Sequence, residues 1–148
     1  MIQSLKTLFE RDLNRLKSEI EAYQNEANLW QTEKNIANSA GNLCLHLIGN
    51  LNTFIGAQLG KTDYIRNRYL EFSLKNVPKT ELISKIEATI QMVSKTLENL
   101  KEEELTKDYP IVVLAEKTTT EYLLIHLTTH LNYHLGQINY HRRLLDKG

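Results

Sequence analysis

Apolar residues recur every three or four positions along four long segments of this 148-residue chain, and strand-like alternation is nearly absent. That period puts an apolar stripe on one side of a helix; a half-buried strand alternates every second residue. The first segment, 2–24, carries Leu5, Leu8, Phe9, Leu13, Leu16, Ile20 and Tyr23. The second, 39–59, follows Asn38 and Ser39, either of which can cap it by accepting a backbone N–H. The third, 79–103, follows Pro78, with Thr80 as its expected cap. The fourth, 118–145, opens on Thr118 and Glu121, the spacing of a capping box. Six glycines and two prolines give the chain few places to break.

Four such helices in one domain, residues 1–148, predict an all-α four-helix bundle. The 60–78 stretch, "GKTDYIRNRYLEFSLKNVP", is long enough for a crossover between helices 2 and 3, with an extra helical turn in "IRNRYLEF". The 104–117 connection holds the apolar "YPIVVLA", expected to pack on the bundle. Eighteen basic residues balance eighteen acidic ones, which argues against a nucleic-acid or membrane-surface partner. The single cysteine, Cys44, excludes an intrachain disulfide and reads as a small buried hydrophobe. No apolar run suffices for a membrane span, and the amphipathic start is unlike a signal peptide; a cytoplasmic location is expected.

Four of the five histidines fall in "HLTTHLNYHLGQINYHRR", residues 126–143. At about 100° per residue, His126, His130, His134, Gln137 and His141 share one side of helix 4, with leucines at both ends of it. Two imidazoles in an HxxxH spacing sit one turn apart and can reach a common ion. The fifth, His46, lies in helix 2 beside Asn42, Gly49, Asn50, Thr53 and Ala57. The small residues there are expected to leave space for a metal and a substrate. One histidine from helix 2 and two from helix 4 make a three-histidine site with open positions, the mark of a catalytic metal. Asn50, Thr53 and Gln137 are candidates for orienting ligands, or for hydrogen bonds between helices. For Glu71 and Glu121 a surface or capping role is expected over a catalytic one.

"NSAGNLCLHLIGNL" and "HLTTHLNYHLGQINYHRR", with the HxxxHxGQI core from His130 to Ile138, resemble the DinB/YfiT-like superfamily of metal-binding four-helix bundles. "RNRYLEF" is similar to an uncharacterised branch of it. The resemblance implies a long helix 2 to helix 3 crossover and a divalent metal, zinc or nickel, held by His46, His130 and His134. His126 precedes the motif and is left as a neighbour of the site. Relatives include a mycothiol-dependent maleylpyruvate isomerase and bacillithiol S-transferases, which implies a small-molecule thiol and an electrophilic substrate. A metal held by neutral imidazoles lowers the pKa of bound water and deprotonates a bound thiol. The first would serve a hydrolase, the second an S-transferase or isomerase. A non-catalytic metal-binding protein, with helix faces used to form a homodimer, and a metal-free histidine network are the remaining alternatives.

Overall fold

The first periodic segment forms α1, Ile2–Ala22, in the computed structural model, which describes residues 1–147. Its stripe of Leu5, Phe9, Leu13, Leu16 and Ile20 is buried. Each such side chain contributes roughly 1.5–3 kcal/mol. Tyr23, expected inside the helix, is instead its extended C-cap. A 3-10 turn, Glu26–Trp30, follows. α2 is capped by Ser39, whose Oγ accepts from Asn42 N at 3.2 Å. It is α-helical over Ala40–Leu51, π-helical over Asn52–Ala57, and closes with Gln58–Gly60. α3 is the short Arg68–Ser73, which overlaps the expected extra turn and runs one residue past it.

α4 spans Lys79–Asn99 and ends short of residue 103, because Leu100 turns extended. Pro78 occupies its N-cap position and its carbonyl accepts from Glu81 and Leu82 N, so Thr80 lies within the first turn and caps nothing. α5 spans Thr120–Leu145 and is capped by Thr119, whose Oγ1 accepts from Tyr122 N at 3.1 Å. The cap expected at Thr118 falls one residue later, because the Thr118 carbonyl is bonded to Tyr109 N, and with Tyr122 at the third helical position no capping box forms. Among the described residues there is no strand, only the isolated bridges Glu33 to Ile36 and Asp108 to Thr119.

Side-chain pairs give the helix directions. Lys6 meets Glu98 at 2.6 Å and Lys17 meets Glu87 at 3.1 Å, so α1 and α4 are antiparallel. Asp12 bonds Asn132 and Glu19 bonds Asn139, so α1 and α5 are parallel. Asn52 bonds Thr89, while Gly56 lies against Met92 and Gly60 against Thr96; α2 and α4 run parallel. Parallel neighbours cannot be joined by a tight turn. The chain must return along the bundle over 61–78, and it lays α3 against α2 on the way. That cover accounts for α2, in which every residue from Ala40 to Leu51 is buried. The 104–117 connection packs only in part: Leu105 and Tyr109 are buried, whereas Ile111 and Val112 are exposed.

His141 belongs to the fold. Its Nε2–H donates to the Gln31 carbonyl at 2.8 Å, which leaves Nδ1 to accept from the Tyr23 hydroxyl at 2.6 Å. Burial holds its pKa below the usual 6.5. The pair fastens the end of α1 to the end of α5. Tyr23→Phe leaves a buried acceptor unpaired and should cost about 1–3 kcal/mol. Urea unfolding should show a lower midpoint with an unchanged slope; an unmoved midpoint would remove this bond from the account.

Candidate metal centre

α2 and α5 are antiparallel where they meet, and this brings the turn at His46 against the turn holding His130 and His134. Ligand atoms of these three side chains all lie within 4.8 Å of one another. His46 Nε2 is 3.2 Å from His130 Nε2. Two nitrogens bound to one tetrahedral ion at about 2.0–2.1 Å would stand roughly 3.3–3.4 Å apart, so the spacing fits a shared ion.

The tautomers agree with that fit. Glu71 Oε1 lies 3.0 Å from His46 Nδ1, which must carry the hydrogen and so leaves Nε2 bare. Gln137 Oε1 accepts from His134 Nδ1 at 2.7 Å, leaving that Nε2 bare as well. His130 Nδ1 is buried without a partner. Three neutral imidazoles with unused lone pairs suit a divalent cation of borderline softness. His130 titrates at about 4, depressed by burial and then by the neighbouring His134, His46, His126 and Arg66. His134 is also lowered, chiefly by burial.

Glu71 is not a surface residue: it is buried, and it anchors His46. Arg66 grips both of its oxygens, Nε to Oε2 at 2.8 Å and Nη2 to Oε1 at 2.9 Å. Burial pushes this carboxyl up, but the hydrogen bonds from His46 and Arg66 outweigh it and hold the pKa below the ordinary value. Asn42 fixes the segment to α2 by donating to the carbonyls of Glu71 and Leu74 at 2.9 and 2.8 Å. The space left by Gly49, expected for a metal and substrate, is filled by the Glu71 carboxylate: a Cβ there would collide with Oε2. Sequence reasoning missed Arg66; its signal was the "RNRYLEF" block, read as a helical turn and a family resemblance but not as part of the site.

Other candidates divide. Gln137 does hold a ligand histidine. Asn50 Oδ1 and Thr53 Oγ1 are buried with no protein partner, so neither bridges helices through those atoms. The wheel that put Thr53 and Ala57 beside His46 assumes 3.6 residues per turn, which fails once the π-helix begins at Asn52. His126 stacks on His130 with ring centroids 6.5 Å apart and stands outside the triad. Glu121 sits in the first turn of α5. Cys44 is fully buried, its thiol pushed up to about 12. A cleft of about 520 Å³ opens beside His134, between α5 and the 35–38 segment, walled by Leu43, Tyr133, Gln137 and Tyr140.

Fold and site define an all-helical bundle with a three-histidine cluster close enough to hold a metal ion. The chain belongs to a family described as a protein of unknown function, DUF1572, whose model matches residues 1–148. It also resembles a crystal structure of a conserved protein from Enterococcus faecalis, with a TM-score of 0.78 and 17% identity over 98% of this chain and 96% of that one. At that identity the likeness shows the fold alone. No curated protein matches the chain. No helix among the described residues is long and apolar enough to cross a membrane.

Two outcomes are expected. Glu71→Gln, or Gly49→Ala through its clash, should weaken divalent-ion affinity about 10- to 100-fold by releasing His46. Calorimetric titration checks this, and wild-type affinity in both variants would remove Glu71 from the site. The second concerns protons. Unfolded histidine binds a proton near pH 6.5, whereas folded His130 does so only near about 4. The unfolded state binds more protons between those values, so ion-free protein should lose stability as pH falls through that window. Its melting temperature should drop from about pH 7 to about pH 5, and less steeply in His130→Asn.

Proposed function

We propose that this is a DinB/YfiT-like protein whose His46, His130 and His134 hold one divalent ion, zinc or nickel. In this reading the centre serves an S-transferase or isomerase that uses a low-molecular-weight thiol on an electrophilic substrate. The observation that carries it is the convergence of three imidazoles, two with their tautomers fixed, beside a cleft at His134. A bound divalent ion would supply Lewis acidity that lowers the pKa of a thiol or water in its remaining positions.

The chain's own residues do the rest. Glu71 and Arg66 hold the His46 ring, and Gln137 holds the His134 ring. Leu43, Tyr133 and Tyr140 give the cleft apolar and aromatic walls for the electrophile. Hydrolysis is the second reading, but attack by water gains from a free general base. Glu71, the carboxylate at the site, is engaged by Arg66 and His46 and is not free to act as one. A thiol needs no such base once deprotonated, which favours thiol transfer. A purely structural ion would need no cleft beside it.

Protein purified without a histidine tag should carry about one divalent ion per chain. Alanine at His46, His130 or His134 should each remove most of it, and His126→Ala should not. Ion-loaded protein should melt higher than chelated protein at neutral pH. Incubated with a panel of low-molecular-weight thiols and an alkylating electrophile, it should consume thiol faster than the chelated form. Full metal content in His130→Ala would refute the ligand set, and thiol consumption indifferent to chelation would refute the reaction.

A further inference from the structure

Residues 122–141 of α5 contain no Asp, Glu, Lys or Arg, in a chain where such residues make up 24%. Much of that stretch faces outward. Tyr122, Ile125, Tyr133, Tyr140 and Leu144 fall within an arc of about 100° on the helix. They are exposed by 57%, 40%, 65%, 63% and 53% respectively. A surface strip rich in tyrosine, with charge only at the end where Arg143 lies over the Tyr140 ring, has the composition of an interface centre. From the size of aromatic side chains, the three tyrosines expose roughly 350–400 Å², and the whole strip about 500 Å². That is the scale of the largest apolar patch on an ordinary monomer. It would fill the centre of a standard interface of about 800 Å² per partner, with polar neighbours as the rim.

Gly136 lies in the middle of this strip. A glycine inside a helix weakens it, because it loses more backbone freedom than alanine on folding. The other glycines among the described residues sit against neighbours, as Gly49 does against Glu71. A Cβ at Gly136 would meet nothing within 4 Å. No close approach inside the chain requires this glycine. The close approach of another helix does: Tyr133 and Tyr140 are knobs on either side of a hole, and two such surfaces are complementary to each other.

We propose that the tyrosine strip of α5 docks a second copy of this chain as an antiparallel twofold pair. Charge selects both the occupant and the direction. Glu121 precedes the uncharged stretch and Arg143 follows it, on the same flank of the strip. A twofold axis across two antiparallel helices keeps each flank on its own side, so Glu121 of one copy meets Arg143 of the other. A parallel pair would set like residues level with each other instead. Gln137, which holds His134, borders the strip, and Tyr133 and Tyr140 wall the cleft. The second copy therefore closes the open side of each cleft.

The test is light scattering and sedimentation of the full chain across a concentration range. Wild type should be a dimer at about 100 µM, since a standard-size interface holds at that level. Gly136→Leu fills the hole from a position where a Cβ meets nothing within 4 Å, and improves helix propensity. It should weaken association at least about 100-fold while leaving the melting temperature of the monomer unchanged or higher. Tyr133→Glu should do the same. Glu121→Arg should weaken the dimer roughly 10-fold, and adding Arg143→Glu should restore it. A wild type that is monomeric at that concentration would overturn the proposal, as would dimers indifferent to Gly136→Leu and Tyr133→Glu. Failure of the double charge swap to rescue would overturn the antiparallel arrangement.

Discussion

A carboxylate cannot stay ionised inside a protein unless other groups replace the water it loses. Glu71 is buried and its pKa is nonetheless lowered. Arg66 supplies the replacement in its bidentate form, and His46 supplies a further bond. The condition reaches outward through the structure. The crossover must pass over α2 so that Arg66 and Glu71 arrive together. Asn42 must tie α3 down by its backbone carbonyls. Position 49 must lack a side chain, since any Cβ there would occupy the place of the carboxylate. The side of α2 that lies under α3 must in turn carry Asn42, His46 and Gly49, the residues that meet this segment. Removing one partner from a buried pair is costlier than never having built it, so these features stand or fall together.

Much of the bundle was legible in the sequence because helix periodicity is a local signal. Each long helix begins and ends within a few residues of where its stripe predicts. The misses at the ends have local causes also. Thr80 lost its expected role to Pro78, and Thr118 lost its own to a bond with Tyr109 N. The π-helical run at Asn52–Ala57 was illegible, since a wheel drawn at a constant angle cannot register a change of pitch. That run changes the angles at which Thr53 and Ala57 stand from those a constant wheel assigns them.

The triad was legible for a different reason. HxxxH fixes a spacing on one helix, and the resemblance joined it to His46. What supports the triad was not legible. Arg66 and Glu71 come from a crossover whose docking depends on Asn42, more than twenty residues earlier in the chain, and no periodicity connects them. Glu71 looked like a surface acid because isolated glutamates usually are. His141 shows the opposite error of scale. It shares the histidine side of α5 by angle, yet it lies two turns beyond the triad and is satisfied by Tyr23 and Gln31. Angle alone says which side a residue faces, and only the neighbouring chain says what it meets.

α5 explains why one sequence stretch carries so many signals at once. One side meets α1 through Asn132 and Asn139. A second carries His130 and His134 toward α2. A third presents tyrosines to the outside. A helix with three occupied sides has little room for the charged residues that would normally mark its solvent face, so its amphipathicity is weak and its apolar stripe does not identify a single core. The same crowding links the sides to each other. Gln137 belongs to the border between the second and third, holding His134 by one oxygen while standing exposed next to the cleft. Whatever covers Tyr133 and Tyr140 must therefore lie against the group that orients His134. Contact on the outer face and geometry at the histidines are separated by a single side chain, and a rotation of that amide, putting its NH2 against Nδ1, would be enough to place the hydrogen on the ring nitrogen that His134 presents to the centre.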